Sequence, residues 1–84
     1  MVEAETLEAR IRDGLGDVSH VVVRDLTGTK DHWEALIVSR AFSGKSRIQQ
    51  HQMVYSALGE LMTGPIHALA LKTYTPESWS EQEG

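Results

Sequence analysis

The 84-residue chain predicts a small α+β domain with the order α-β-β-α-β and a further short helix. Three observations carry that prediction. The length suits one domain, since two would need roughly 100 residues each. Two extended segments flank the polar turn Asp25-Leu26-Thr27-Gly28-Thr29-Lys30-Asp31. A well-capped helical segment separates the second extended segment from the third.

The elements follow in order. Leu7, Ile11 and Leu15 recur every four residues, and Glu3, Glu5 and Glu8 favour a helix N-terminus, which predicts a helix over 3–15. Gly14 and Gly16 are expected to stop it. Val18 to Leu26 is rich in valine and reads as a strand. In the second strand Trp33, Ala35 and Ile37 alternate with Glu34, Leu36 and Val38, so the pair should form an antiparallel hairpin. Phe42-Ser43-Gly44-Lys45 breaks the strand. Ser46 and Gln49 then make an S-x-x-Q capping box. Ile48, His51, Val54 or Tyr55, Leu58, and Leu61 or Met62 follow at helical spacing. Thr63-Gly64-Pro65 ends that helix, and Ile66 to Thr73 reads as a third strand. Thr75 and Pro76 suit the N-cap and first position of a short helix through Trp79.

The expected architecture is one domain over 1–79, with 80–84 a disordered tail. The second strand, long helix and third strand form a crossover that places the two strands parallel. The simplest arrangement is a three-stranded mixed sheet with the second strand central and the helices on one face, the shape of a KH-like (class II) domain.

Composition narrows the function. The chain has no cysteine, which excludes disulfide scaffolds, cysteine-ligated zinc fingers and cysteine nucleophiles. No apolar run reaches the ~20 residues of a membrane span, and no leader opens the chain. A cytoplasmic protein without membrane contact is therefore expected. Eight Lys and Arg oppose twelve Asp and Glu, for a net charge of −4. The balance is uneven: −4 over 1–34, +3 over 35–76 and −3 over 77–84. Arg40, Lys45, Arg47 and Lys72 supply the basic middle. They are either a solvated face or a docking patch for an acidic partner or nucleic acid.

Four histidines are the main candidate ligands. His32 ends the hairpin loop and His67 begins the third strand. If the second and third strands are parallel neighbours, about 4.8 Å apart, both residues lie at one edge of the sheet. Two histidines do not complete a zinc site, which takes three or four protein ligands. Histidine can also replace cysteine on one iron of a [2Fe–2S] cluster. Spacing alone favours a loop role for His32 and a strand role for His67. His51 falls on the apolar helix face and reads as a packed core residue. His20 lies in the first strand with no evident partner.

Gly44-Lys45-Ser46 resembles the end of a P-loop, but Ser39 stands where the motif needs glycine. A KH nucleic-acid loop needs G-x-x-G, and Arg47 occupies the second glycine position. No serine or carboxylate constellation supports catalysis, so no enzyme is expected.

The residues Phe42-Ser43-Gly44-Lys45-Ser46-Arg47-Ile48-Gln49-Gln50-His51-Gln52-Met53-Val54-Tyr55, followed by Ile66-His67-Ala68-Leu69, resemble the BolA family. The likeness runs from about Asp25 to Trp79. It implies a partner, a monothiol (CGFS-type) glutaredoxin, with which a glutathione-containing [2Fe–2S] cluster is shared. It also implies that His67 is the constant ligand and that a loop residue is the second. With Lys30-Asp31-His32-Trp33 in the loop, His32 takes that role, and the chain is similar to the histidine-loop type. The isolated protein is expected to be a monomer without cofactor. Iron–sulfur trafficking or iron sensing follows as the implied function. The family's link to transcription supplies the alternative, DNA binding through Arg40, Lys45, Arg47 and Lys72. His51, Gly44 and Ser46 are expected to be structural.

Overall fold

A computed structural model describes residues 2–30, 32–64, 66 and 68–83. Helix α1 (Ala4–Leu15) precedes strands β1 (Val18–Asp25) and β2 (His32–Ser39). A 3₁₀ turn (Arg40–Phe42) leads into helix α2 (Arg47–Leu58), which tightens into a second 3₁₀ segment (Gly59–Thr63). Strand β3 (Ala68–Tyr74) and helix α3 (Pro76–Glu83) complete the chain.

The sheet order is β1-β2-β3, with β1 antiparallel and β3 parallel to the central β2. This is the mixed sheet the element order predicts. Along β2, Trp33, Ala35 and Ile37 face one side of the pleat and are at most 2% exposed. They join Leu7 and Ile11 of α1, Val54 and Leu58 of α2, and Phe42 in one core. Burial of those side chains is the main term holding the layers together, since each apolar side chain contributes about 1.5–3 kcal/mol when removed from water.

The first helix ends at Leu15, where the sequence places its end, but Gly14 does not share in stopping it. Gly14 is inside α1 rather than at its end, and Gly16 (φ +71°) is the residue that stops the helix. A second difference concerns the faces. Helices α1 and α2 cover the core side, as expected. Val38 is fully buried yet lies outside that core. His20, Val38 and Tyr74 are aligned across the three strands. Trp79 of α3 stacks on His20 at 5.6 Å and tilts against Tyr74 at 5.2 Å. The short helix therefore caps the other face of the sheet at that end.

Helix α3 also continues through Glu83, so residues 80–83 are helical where a tail is expected. Its start follows the expectation. Ser78 N–H donates to Thr75 Oγ1 at 3.1 Å, and Thr75 N–H donates back to Ser78 Oγ at 2.9 Å.

Candidate functional site

The hairpin loop that leads to His32 is organised by one carboxylate. Asp25, the last residue of β1, accepts hydrogen bonds from the backbone N–H groups of Thr27 (3.3 Å), Gly28 (2.9 Å) and Lys30 (3.1 Å). Gly28 (φ +80°) and Lys30 (φ +60°) adopt the left-handed backbone that lets these donors converge. Leu26 N–H donates to the His32 carbonyl at 2.9 Å and closes the loop. Lys30 Nζ reaches across to Glu3 at 2.7 Å, which ties the loop to the start of α1. The hydrogen bond to Glu3 and its negative charge raise the Lys30 ammonium above its ordinary value.

His32 opens β2 and is partly buried. Its partner in the parallel ladder is Ala68, the residue that follows His67 in the sequence. His67 itself lies outside the described residues. Trp33, beside His32, turns into the core, and its buried Nε1–H has no partner among the described residues. Among the described residues, no group of three or more His, Cys, Asp or Glu side chains is placed to hold a metal ion. Imidazole nitrogen is a suitable iron donor, so the donor chemistry of His32 fits an iron centre.

The four basic residues do not form one patch. Arg47 and Lys72 line a common groove of about 270 Å³ between α2 and β3, together with His51 and Thr73. Lys45 lines a different cleft, with Gly14, Leu15, Gln49 and Met53 between the two long helices. Arg40 is exposed at the start of the first 3₁₀ turn, where its N–H donates to Asp17 O at 3.3 Å.

His51 is half-buried at the edge of α2 and is not in the core. Ile48, expected on the apolar face, is 71% exposed. The reason is Gln50, which turns inward instead. Its Nε2 donates to Phe42 O (3.3 Å) and Lys45 O (3.1 Å), and its Oε1 accepts from Thr73 Oγ1 (2.6 Å). A satisfied amide can occupy an inward position that periodicity assigns to an apolar residue. That rotates the helix away from the predicted face. No spacing rule identifies such a residue, because its partners come from the preceding loop and from β3.

Gly44 (φ +76°) sits in the turn before α2, where Lys45 N–H donates to Phe42 O at 3.1 Å. Ser46 caps α2: Gln49 N–H donates to Ser46 Oγ (3.2 Å), and Ser46 N–H donates to Gln49 Oε1 (2.9 Å). The capping box read from the sequence is therefore formed.

Comparison with known proteins follows the same lines. The family model described as BolA-like protein matches residues 10–78. BolA-like protein 1 of Bos taurus is 39% identical over 77 residues, covering 92% of this chain and 52% of the bovine protein. The chain thus spans about half the length of the mammalian BolA-like protein 1 relatives it matches. The DNA-binding transcriptional regulator BolA of Escherichia coli K12 is 33% identical over 85 residues, covering 94% of this chain and 81% of that protein. A solved structure of a bolA protein homologue from Coxiella burnetii superposes with a TM-score of 0.81 at 34% identity, over 95% of this chain and 99% of that one.

Proposed function

The chain belongs to the BolA-like family, and from that membership we propose that it is an adaptor that pairs with a monothiol glutaredoxin. In this reading the pair shares a glutathione-containing [2Fe–2S] cluster, in iron–sulfur trafficking or iron sensing. The observation that carries it is the parallel pairing of His32 with Ala68, which joins the loop histidine to the strand that His67 precedes. The chain has no cysteine, so its donors are imidazoles, and the partner's thiol and glutathione supply the others. The cluster is cargo held between two proteins. A neutral imidazole ligand is lost when it is protonated, which suits release or sensing. We assign the chain no catalytic role. Among the described residues, no helix is long and apolar enough to cross a membrane.

The experiment is a titration of this protein into a cluster-loaded monothiol glutaredoxin, followed by visible absorption and circular dichroism. A changed spectrum saturating at one-to-one stoichiometry supports the reading. Persistence of the unmodified glutaredoxin spectrum overturns it.

A second reading, DNA binding, rests on the name of the Escherichia coli relative and on the shared groove of Arg47 and Lys72. It predicts affinity that falls steeply with salt.

A further inference from the structure

Strand β3 lies at one side of the sheet. Its inner edge pairs with β2 along its whole length, from Ala68 to Tyr74. Among the described residues no strand pairs with its outer edge. Among the described residues, no hydrogen bond outside the ladder joins the backbone of Ala68–Tyr74 to any other group. An open edge of this kind is a template for another strand.

The groove of about 270 Å³ runs along this edge, formed by Arg47 and His51 of α2 and by Leu71, Lys72, Thr73 and Tyr74 of β3. The Thr73–Gln50 hydrogen bond at 2.6 Å fixes the spacing of helix and strand. Among the described residues, no acidic side chain lines the groove. Arg47 is exposed and makes no ion pair among the described residues. Lys72 has one contact, 3.9 Å from Glu34, and Arg24 approaches the other oxygen of that carboxylate at 3.8 Å.

Charge selects among the possible occupants. A second copy pairing edge to edge would bring Arg47 and Lys72 against their own like charges. A single-stranded nucleic acid would satisfy the cations. It would also place phosphates against the outward carbonyls of β3, and the Tyr74 ring is already in contact with Trp79 at 5.2 Å. An extended peptide satisfies both features at once. Its backbone pairs with the open edge, and its acidic side chains meet the cations. Alternate side chains of an added strand point to opposite faces. One acidic residue then faces Arg47 and His51, and its neighbour in the chain faces Lys72.

We propose that the open β3 edge and the Arg47–His51–Lys72 groove dock an extended segment of a partner protein that carries two consecutive acidic residues and adds to the sheet as a fourth strand. This goes beyond the cluster reading and does not depend on it.

The test uses the protein without metal or glutaredoxin. The probe is a short blocked peptide of alternating Thr and Val with a central Asp-Glu pair, followed by fluorescence anisotropy and by amide resonances. Expected are shifts and slowed hydrogen exchange at the outward amides of β3. Affinity should fall roughly tenfold for Arg47→Glu and again for Lys72→Glu, because each reverses one cross-strand attraction. Both side chains are exposed, so Arg47→Glu should keep the parent's melting temperature, while Lys72→Glu, which sets a like charge beside Glu34, should lower it slightly and stay folded. The same peptide N-methylated at alternate residues should not bind. No binding at millimolar peptide, equal binding of the N-methylated peptide, or shifts confined to other elements would overturn the proposal. So would binding of an oligothymidine in the groove where the peptide does not bind.

Discussion

Gly14 of α1 and Ala57 of α2 meet where the two helices cross. A Cβ built on Gly14 would lie 2.4 Å from the Ala57 Cβ and 2.8 Å from its Cα. The second of those atoms is backbone, so the clash cannot be relieved by a rotamer change. Gly14→Ala should destabilise the fold by about 1–3 kcal/mol, the usual range for overpacking. Ala57→Gly in the same chain should recover part of that loss. Chemical denaturation of the two single variants and the double variant checks this, with a favourable coupling expected for the pair.

The histidine assignments predict a spectroscopic effect without unfolding. His32→Ala and His67→Ala should each change the visible circular dichroism of the mixed glutaredoxin complex. The His32 variant should leave the far-ultraviolet spectrum of the free protein unchanged. An unaltered complex with the His32 variant would remove that residue from the ligand set.

Asp25 should act on the same site as a positioning residue. Asp25→Ala removes the acceptor of three backbone donors and should cost about 1–2 kcal/mol in this exposed loop. It should also weaken the mixed complex, because the loop that delivers His32 loses its geometry. Asp25→Asn, which keeps one acceptor oxygen, should restore part of both.

Gln50 predicts a packing effect that its polarity conceals. Gln50→Ala leaves Phe42 O without its side-chain donor and Thr73 Oγ1 without its acceptor. A loss of about 1–3 kcal/mol is expected. His51→Ala, at the half-buried neighbouring position, should cost less. Melting curves of the two variants give the comparison.

The Arg10–Glu60 pair, at 2.6 Å, clasps α1 to the 3₁₀ segment after α2. The hydrogen bond from Arg10 holds the Glu60 carboxyl below its ordinary value. A depressed folded-state value means that the stabilisation is present above the unfolded value, near ~4.3. It is lost as pH falls through the folded value. Both side chains are exposed, so the effect is small and salt weakens it. Arg10→Gln should flatten the acid limb of a stability–pH profile, and added salt should do the same to the parent.

Local chemistry made much of the fold legible. Valine-rich and alternating segments specify strands, the Ser46–Gln49 box starts α2, and Thr75-Pro76 starts α3, because each signal acts within a few residues of chain. The parallel pairing of β2 with β3 followed from the helical crossover between them. The rest depended on partners distant in sequence. Gly14 looks like a helix stop until Ala57 packs against it. Gln50 looks solvent-facing until Phe42, Lys45 and Thr73 satisfy its amide. Trp79 looks like the end of a short helix until His20 and Tyr74 receive it on the second face of the sheet. The basic middle read as one patch because sequence proximity places Lys45 and Arg47 together. In the fold they line different clefts, since residues two apart on a helix or at its entry face different sides. The open edge of β3 and its groove emerge only at this level, because an edge is defined by the strand that is not there to pair with it.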